Sequence, residues 1–324
     1  MSDCIIGVDL GGTQLRAARL DAQLRLQDRV AVPTEAERGR DHVLGRILDV
    51  IARVMPAEPA DVRGIGVSAP GPLNPHSGVV VAPPNLPGWH NVPLRQIIQA
   101  RFARPTYVGN DANVAALAEA ARGAARGCDY VLYLTISTGI GSGIIDDGRL
   151  VVGAQGLGAE AGHLMLIVDG EVTDLEGVAS GTAIARQARE KLRAGASSRI
   201  LEIAGGRIDH VSAKIVGQAA SAGDPLAVEL IQRAGYRVGL GVVSLLHLFN
   251  PQIVVVGGGV THTGDLLFAP MRQAVREHAL DAAYYENVPI VAAALGDDVA
   301  LIGAAALVLA GGGSEQLTRK DEVL

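Results

Sequence analysis

Three glycine-rich turns carry the residue types best suited to chemistry. Asp9-Leu10-Gly11-Gly12-Thr13 separates two apolar runs. Glycines there remove Cβ and let backbone N–H groups approach an anion, and phosphate is the natural candidate. Asp9, at the end of the first run, suits a hydrated Mg²⁺, which takes few protein ligands and keeps water and phosphate oxygens. An ordinary hairpin turn explains the same residues equally well. Ser137-Thr138-Gly139-Ile140-Gly141-Ser142-Gly143 repeats the arrangement with hydroxyls, and Gly257-Gly258-Gly259 adds a third glycine run. Each follows a strand-like segment, which argues against three unrelated hairpins. The sequence has no G-x-x-x-x-G-K-[ST] loop.

Carboxylates form the second group. In Val108-Gly109-Asn110-Asp111-Ala112-Asn113, either Asn110 or Asp111 caps a helix beginning near Ala112, or Asp111 is a general base. In the second reading it accepts the proton of a hydroxyl that attacks phosphorus. A loose phosphoryl transition state needs positioning and charge neutralisation, so one aspartate, Mg²⁺ and glycine-loop amides suffice. Glu160 and His163 are three apart and face the same way if their turn is helical. A surface acid and a satisfied histidine are the plain alternative.

The elements that must position these residues alternate along the chain. Residues 4–9 and 14–20 read as strands around the first glycine turn, followed by a strand near 26–32. A helix over 41–54 repeats Val43, Leu44, Ile47, Leu48 and Ile51 at helical spacing. A buried strand at 63–68, a Pro/Gly/Asn-rich loop over 70–93, a helix at 94–102 and a strand at 105–108 follow. Strand, glycine turn and strand then recur at 130–152, a weak internal repeat. Helices are expected at 182–194, 211–222, 225–248 and 297–309, with a strand at 253–256. Alternation of this kind implies parallel sheet and an α/β class.

Composition sets the bounds. A chain of 324 residues is long enough for roughly two domains of about 150 residues. With 28 basic and 34 acidic residues the net charge is −6, without the basic surplus that phosphate-backbone binding needs, so nucleic acid is not an expected partner. Cys4 and Cys128 are the only thiols, too few for a disulfide framework or a four-cysteine metal site, and they suit a reducing, cytoplasmic compartment. The beginning of the sequence lacks a basic, apolar export signal, and the apolar run over 299–310 falls short of a membrane span, so no membrane partner is expected.

Taken in order, DLGGTQLR, SAPGPL, PNLPGW, NDAN, STGIGSG, GAEAGH and GGGV make the chain resemble the ROK family of sugar kinases from about residue 5 to 310. Within it, PNLPGW and NDAN are most similar to bacterial glucokinases. The resemblance implies an actin-like ATPase (ribonuclease H-like) fold, two α/β domains hinged around a cleft, with the last helix crossing back to the first domain. The smaller domain is expected at 1–110 plus 297–312, the larger at 111–296, and a disordered tail at 313–324. By the same resemblance, Asp9, Gly11, Gly12 and Thr13 form one phosphate loop, Thr138, Gly139 and Gly141 a second, and Gly257, Gly258 and Gly259 the nucleotide segment. Asp111 is the implied catalytic base. Asn110, Asp111, Glu160, His163 and Glu176 bind sugar hydroxyls, with Asn85 and Trp89 helping to close the pocket, although Trp89 also suits core packing. ATP and Mg²⁺, the latter reached through the nucleotide and Asp9, are the implied cofactors, and a homodimer or homotetramer the implied assembly.

The implied reaction is phosphorylation of glucose at its 6-hydroxyl. Fructose, mannose, N-acetylmannosamine or N-acetylglucosamine as acceptor, and polyphosphate as donor, remain open, because spacing does not separate epimers. A sugar-sensing regulator of the same family carries a helix-turn-helix ahead of the first glycine hairpin; only eight residues precede Asp9 here, so that module is not expected. One departure stands out. Many relatives carry a cysteine-rich zinc motif between the positions of His163 and Glu176, with that histidine as fourth ligand. The segment LMLIVDGEVTDL has no cysteine, and one histidine does not hold tetrahedral zinc, so no structural zinc site is expected.

Overall fold

The short apolar runs flanking the glycine turns become strands, and the 3.6-period segments become helices packed on them. A computed structural model describes residues 3–317. The first half comprises β1 (Cys4–Leu10), β2 (Gln14–Asp21), β3 (Leu26–Pro33), α1 (Arg40–Val54), β4 (Val62–Ala69), β5 (Leu73–Asn74), β6 (Val79–Val80), α2 (Leu94–Phe102), β7 (Thr106–Asn110) and α3 (Asp111–Arg122). Next come β8 (Val131–Ile136), β9 (Ile140–Asp146), β10 (Arg149–Leu150), β11 (Met165–Val168), β12 (Glu171–Asp174), α4 (Leu175–Ala179), α5 (Gly181–Arg193) and α6 (Arg199–Ile203). The chain closes with α7 (Ala213–Ser221), α8 (Pro225–Phe249), β13 (Ile253–Gly257), α9 (Asp265–His278), β14 (Ile290–Ala292) and α10 (Val299–Leu309).

Two five-stranded sheets have the orders β3-β2-β1-β4-β7 and β10-β9-β8-β13-β14. Both place a three-strand run beside two later strands, and the later pairs β4-β7 and β13-β14 are parallel. The repeat that the glycine turns only hint at is therefore written in the strand order. The chain divides into two compact units, one of Met1–Val131, Gly143–Ala159 and Ala293–Leu324 and another of Leu132–Ser142 and Glu160–Ala292. The boundary expected at 110/111 falls inside the first unit.

In the first unit, side chains alternate across β1. Ile6 and Val8 join the core of Val43, Ile47, Val50, Ile51 and Val54 on α1, while Gly7 turns toward α10. A Cβ on Gly7 or Gly66 would run into the Leu301 or Ala304 carbonyl of α10, so these glycines let an all-apolar helix lie directly on the strands. Glu119 on α3 is fully buried and accepts N–H groups from Ala124 at 2.7 Å, Ala294 at 3.0 Å and Leu295 at 3.1 Å, which fastens α3 to the segment leading into α10.

In the second unit, Gly235 and Gly239 of α8 face Leu267 and Met271 of α9, so a one-turn spacing of missing side chains sets the close helix approach. Among the described residues no helix is long and apolar enough to cross a membrane. Of the expected tail, residues 313–317 are described: Gln316 Nε2 donates to the Asp147 carbonyl at 3.1 Å and the Leu317 N–H to that of Gly148 at 3.3 Å. Residues 318–324 lie outside the described residues.

Candidate active site

In the first unit the candidate residues gather at the carboxyl ends of parallel strands, the usual place for a ligand in an α/β sheet. Register puts Asp9 beside Ser68 and Ser68 beside Gly109, with Asn110 opposite Ala69. Arg16 Nε and Nη2 both donate to Asp9 Oδ2, at 2.8 and 2.6 Å, while its Nη1 donates to the Asp297 carbonyl at 2.9 Å. Asp9 is thus held by a guanidinium for which the spacing of the glycine turn gave no cue. Ser68 is buried, and among the described residues its hydroxyl has no hydrogen-bond partner, an unusual condition for an interior polar group.

The first glycine turn is a true hairpin: the Gly11 N–H donates to the Gln14 carbonyl at 2.9 Å and the Thr34 hydroxyl to the Gly11 carbonyl at 2.7 Å. Gly11 therefore contributes shape, its amide being committed. A Cβ on Gly12 would touch the Asn85 side chain, which brings the loop carrying Asn85 against this turn. Thr13 and Asn85 are exposed. Trp89 lies elsewhere, with 1% of its surface exposed in the core of β1, β4 and α1, and its indole N–H has no partner among the described residues.

The capping question at the start of α3 has a definite answer. Asn110 is the cap, its Oδ1 accepting the Asn113 N–H at 2.8 Å. Asp111 is the first helical residue, and its Oδ1 accepts the adjacent Ala112 N–H at 2.9 Å. Its side chain reaches solvent, yet desolvation by the surrounding protein, aided by the charge of Asp9, raises the carboxyl above its ordinary range; the Ala112 N–H opposes this. A raised, uncapped carboxylate open to a substrate has the properties of a general base.

In the second unit Glu176 lies against the second glycine turn. Its Oε2 accepts the Ile140 N–H at 2.7 Å and fills the space that a side chain on Gly139 would need. Glu160 immediately precedes the short turn Ala161–His163, and its carbonyl accepts the His163 N–H at 3.1 Å. That turn is docked on β9: Ser142 Oγ accepts the Ala161 N–H at 2.9 Å, and Gly162 abuts the Ile140 carbonyl. His163 Nδ1 is 3.1 Å from Asp174 Oδ2, and this hydrogen bond raises the imidazole pKa while lowering that of Asp174. Spacing gave no signal for Asp174, because the intervening hairpin was not recognised.

Gly258, in the left-handed region at φ +91°, presses on the backbone of Ile136 at the end of β8, so the third glycine turn meets the second. Beside them is a cavity of about 950 Å³ whose walls include Thr138, Thr182, Arg189, Lys214, Gly259 and Val260. Its size is at the upper end of small-molecule sites. Gly141 and Gly257 flank this region, on β9 and at the end of β13. The helix faces that supply Arg189 and Lys214 were missed because helical periodicity reports packing and not what lines a cavity. Among the described residues no group of three or more His, Cys, Asp or Glu side chains is placed to hold a metal ion. A single carboxylate such as Asp9, one oxygen of which is held by Arg16, fits Mg²⁺ only as an ion carried on phosphate and largely hydrated.

Residues 5–310 match the description of the ROK family. The chain is 36% identical to a glucokinase of Thermotoga maritima over 310 residues, covering 94% of this chain and 96% of that one. It superposes on the crystal structure of a ROK family glucokinase from Streptomyces griseus in complex with glucose and AMPPNP with a TM-score of 0.77 and 32% identity, covering 94% and 98% of the two chains. A ROK family transcriptional regulator, a homolog of the E. coli MLC protein, gives a TM-score of 0.81 at 27% identity, covering 97% of this chain and 79% of that one.

Proposed function

This chain belongs to the ROK family and has its actin-like ATPase fold, and we propose that it transfers the γ-phosphoryl group of ATP to the 6-hydroxyl of glucose. The observation that carries the reading is the division of labour at the start of α3: Asn110 caps the helix, which leaves Asp111 to accept a proton. Its raised pKa suits a base that must compete for that proton near neutral pH.

In this reading Asn85, Asn110, Glu160, His163 and Glu176 donate to or accept from sugar hydroxyls, with Glu176 using Oε1 because Oε2 already accepts from Ile140. Polar partners that a bound sugar desolvates discriminate by being left unpaired when a hydroxyl is missing. Gly12 and Thr13, the turn Thr138-Gly139-Ile140-Gly141 and the Gly257–Gly259 segment receive phosphates, and the 950 Å³ cavity receives the nucleoside. Asp9 is the residue that would hold Mg²⁺ through its water, and the ion supplies neutralisation of phosphate charge. Asp111 takes the hydroxyl proton as the oxygen attacks phosphorus.

A second reading, sugar sensing without turnover, draws on the likeness to the transcriptional regulator. A coupled ADP-release assay over a hexose panel, with ATP or polyphosphate as donor, separates the two: turnover on glucose with ATP supports the kinase, while glucose binding without turnover supports the sensor.

A further inference from the structure

We propose that Asp174 is a positioning residue for the sugar subsite, one carboxylate that fixes both His163 and the helix bearing Glu176. The inference rests on the reading of His163 and Glu176 as sugar ligands and extends it to a residue outside that set. Asp174 Oδ2 lies 3.1 Å from His163 Nδ1, and Asp174 Oδ1 accepts the Gly177 N–H at 2.7 Å, capping α4. One side chain thus ties His163 to Gly177, fourteen residues apart in sequence, and so to the helix of Glu176.

The surroundings make that tie necessary. α4 has five residues, too few to be stable alone, and it carries Glu176 in its first turn. Its far end is held by cations, Arg186 donating to the Gly177 carbonyl at 2.7 Å and Arg237 to that of Val178 at 3.1 Å. Its near end has Asp174. His163 is exposed and precedes β11, a four-residue strand paired, among the described residues, only with β12 through the tight turn Asp169-Gly170, both residues of which have positive φ. Ile167 and Val172, opposite one another in this ribbon, are 76% and 69% exposed, so packing contributes little to holding it. Two-stranded ribbons are marginal by themselves. The contact at its base, where Met165 pairs with Asp174, supplies the order.

The bond also sets the chemistry of the ring. With a carboxylate at Nδ1, that nitrogen carries the proton and Nε2 becomes the outward-facing nitrogen, in the manner of a carboxylate that orients a catalytic imidazole. Glu176 and Glu160 act on His163 in the same electrostatic direction as Asp174, so removing Asp174 weakens the bias without reversing it.

The test is calorimetric glucose binding together with steady-state kinetics. Asn caps helices as well as Asp, so Asp174→Asn keeps the α4 cap and removes the charge on His163, while Asp174→Ala removes both. Loss of one charge-assisted hydrogen bond in the positioning shell predicts a glucose Kd about 10-fold weaker in D174N, with the KM for ATP unchanged. D174A should be weaker still. His163→Gln should weaken binding in the wild type but add little in the D174N background, because the two act through one contact. Glucose binding by D174N within 2-fold of wild type, or full additivity with H163Q, overturns the proposal. If the wild type itself binds no glucose, the reading of the sugar site falls and this inference with it, and that result is distinct from a wild type that binds and a variant that binds equally.

Discussion

Asp111→Asn separates chemistry from folding in one substitution. The cap of α3 belongs to Asn110 and is untouched, and an asparagine Oδ1 can still accept the Ala112 N–H that Asp111 accepts at 2.9 Å. What is lost is the proton acceptor. General-base catalysis contributes about 10²- to 10⁴-fold, or roughly 2.7–5.4 kcal/mol of transition-state stabilisation at 1.36 kcal/mol per decade. In a coupled ADP-release assay, kcat should fall by that factor while the KM for ATP changes little. Stability should move the other way. The folded-state pKa of Asp111 is raised, so the folded protein binds this proton more tightly than the unfolded chain. Stability attributable to the group is greatest below the ordinary carboxylate value of about 3.9 and falls as pH rises through the raised value. A neutral amide escapes that loss, so D111N should have a higher Tm than wild type at pH 7, and the difference should vanish in acid. The pH profile of wild-type kcat/KM should show an acid limb above the ordinary carboxylate range. A variant that keeps a third of wild-type kcat removes Asp111 from the chemistry. One that is less stable than wild type at pH 7 shows that its surroundings do not disfavour the charge.

Three further outcomes follow from other contacts. Gly139→Ala places a methyl group where the Glu176 carboxylate now lies, so Glu176 must leave the Ile140 N–H; glucose binding measured without nucleotide should weaken about 10-fold with little change in Tm, and unaltered binding would separate Glu176 from the sugar. Glu119→Ala leaves the Ala124, Ala294 and Leu295 amides without their acceptor and should lower unfolding stability by about 2–4 kcal/mol in denaturant titrations; a change under about 0.5 kcal/mol would contradict its role. Elemental analysis should find negligible zinc, since 164–175 offers no thiolate, and EDTA should stop turnover that Mg²⁺ alone restores; about one zinc per chain, or rescue by zinc only, is the contrary result.

Much of the scaffold was legible because it is encoded locally. Glycine turns between apolar runs gave the β1-β2 and β8-β9 connections and the end of β13, and helical spacing gave α1, α5, α7, α8 and α10. Length, glycine and the order of motifs pointed to a fold that the comparison with solved structures supports. Three features stayed hidden for physical reasons. α9 carries Pro270 inside the helix, which interrupts the signal that would have marked it. The β11-β12 ribbon exposes Met165 and Ile167 within the run Met165-Leu166-Ile167-Val168, so no alternation of polar and apolar residues betrays it; Asp169-Gly170 was the available cue. The link from Arg16 to Asp9 crosses a hairpin, and that from His163 to Asp174 closes a ribbon. Both depend on register, which spacing along the chain does not give. Trp89 shows the converse, a residue weighed for the pocket that the structure places in the core.

Phosphorus-31 NMR of the purified protein with ATP, Mg²⁺ and glucose is the decisive test of phosphoryl transfer to the sugar, because it identifies the product and not merely nucleotide consumption. A sugar-phosphate resonance assignable to glucose 6-phosphate should grow in step with ADP and be absent with D111N. Release of inorganic phosphate in place of a sugar phosphate, or no transfer to glucose by wild-type protein that binds both substrates, would contradict it.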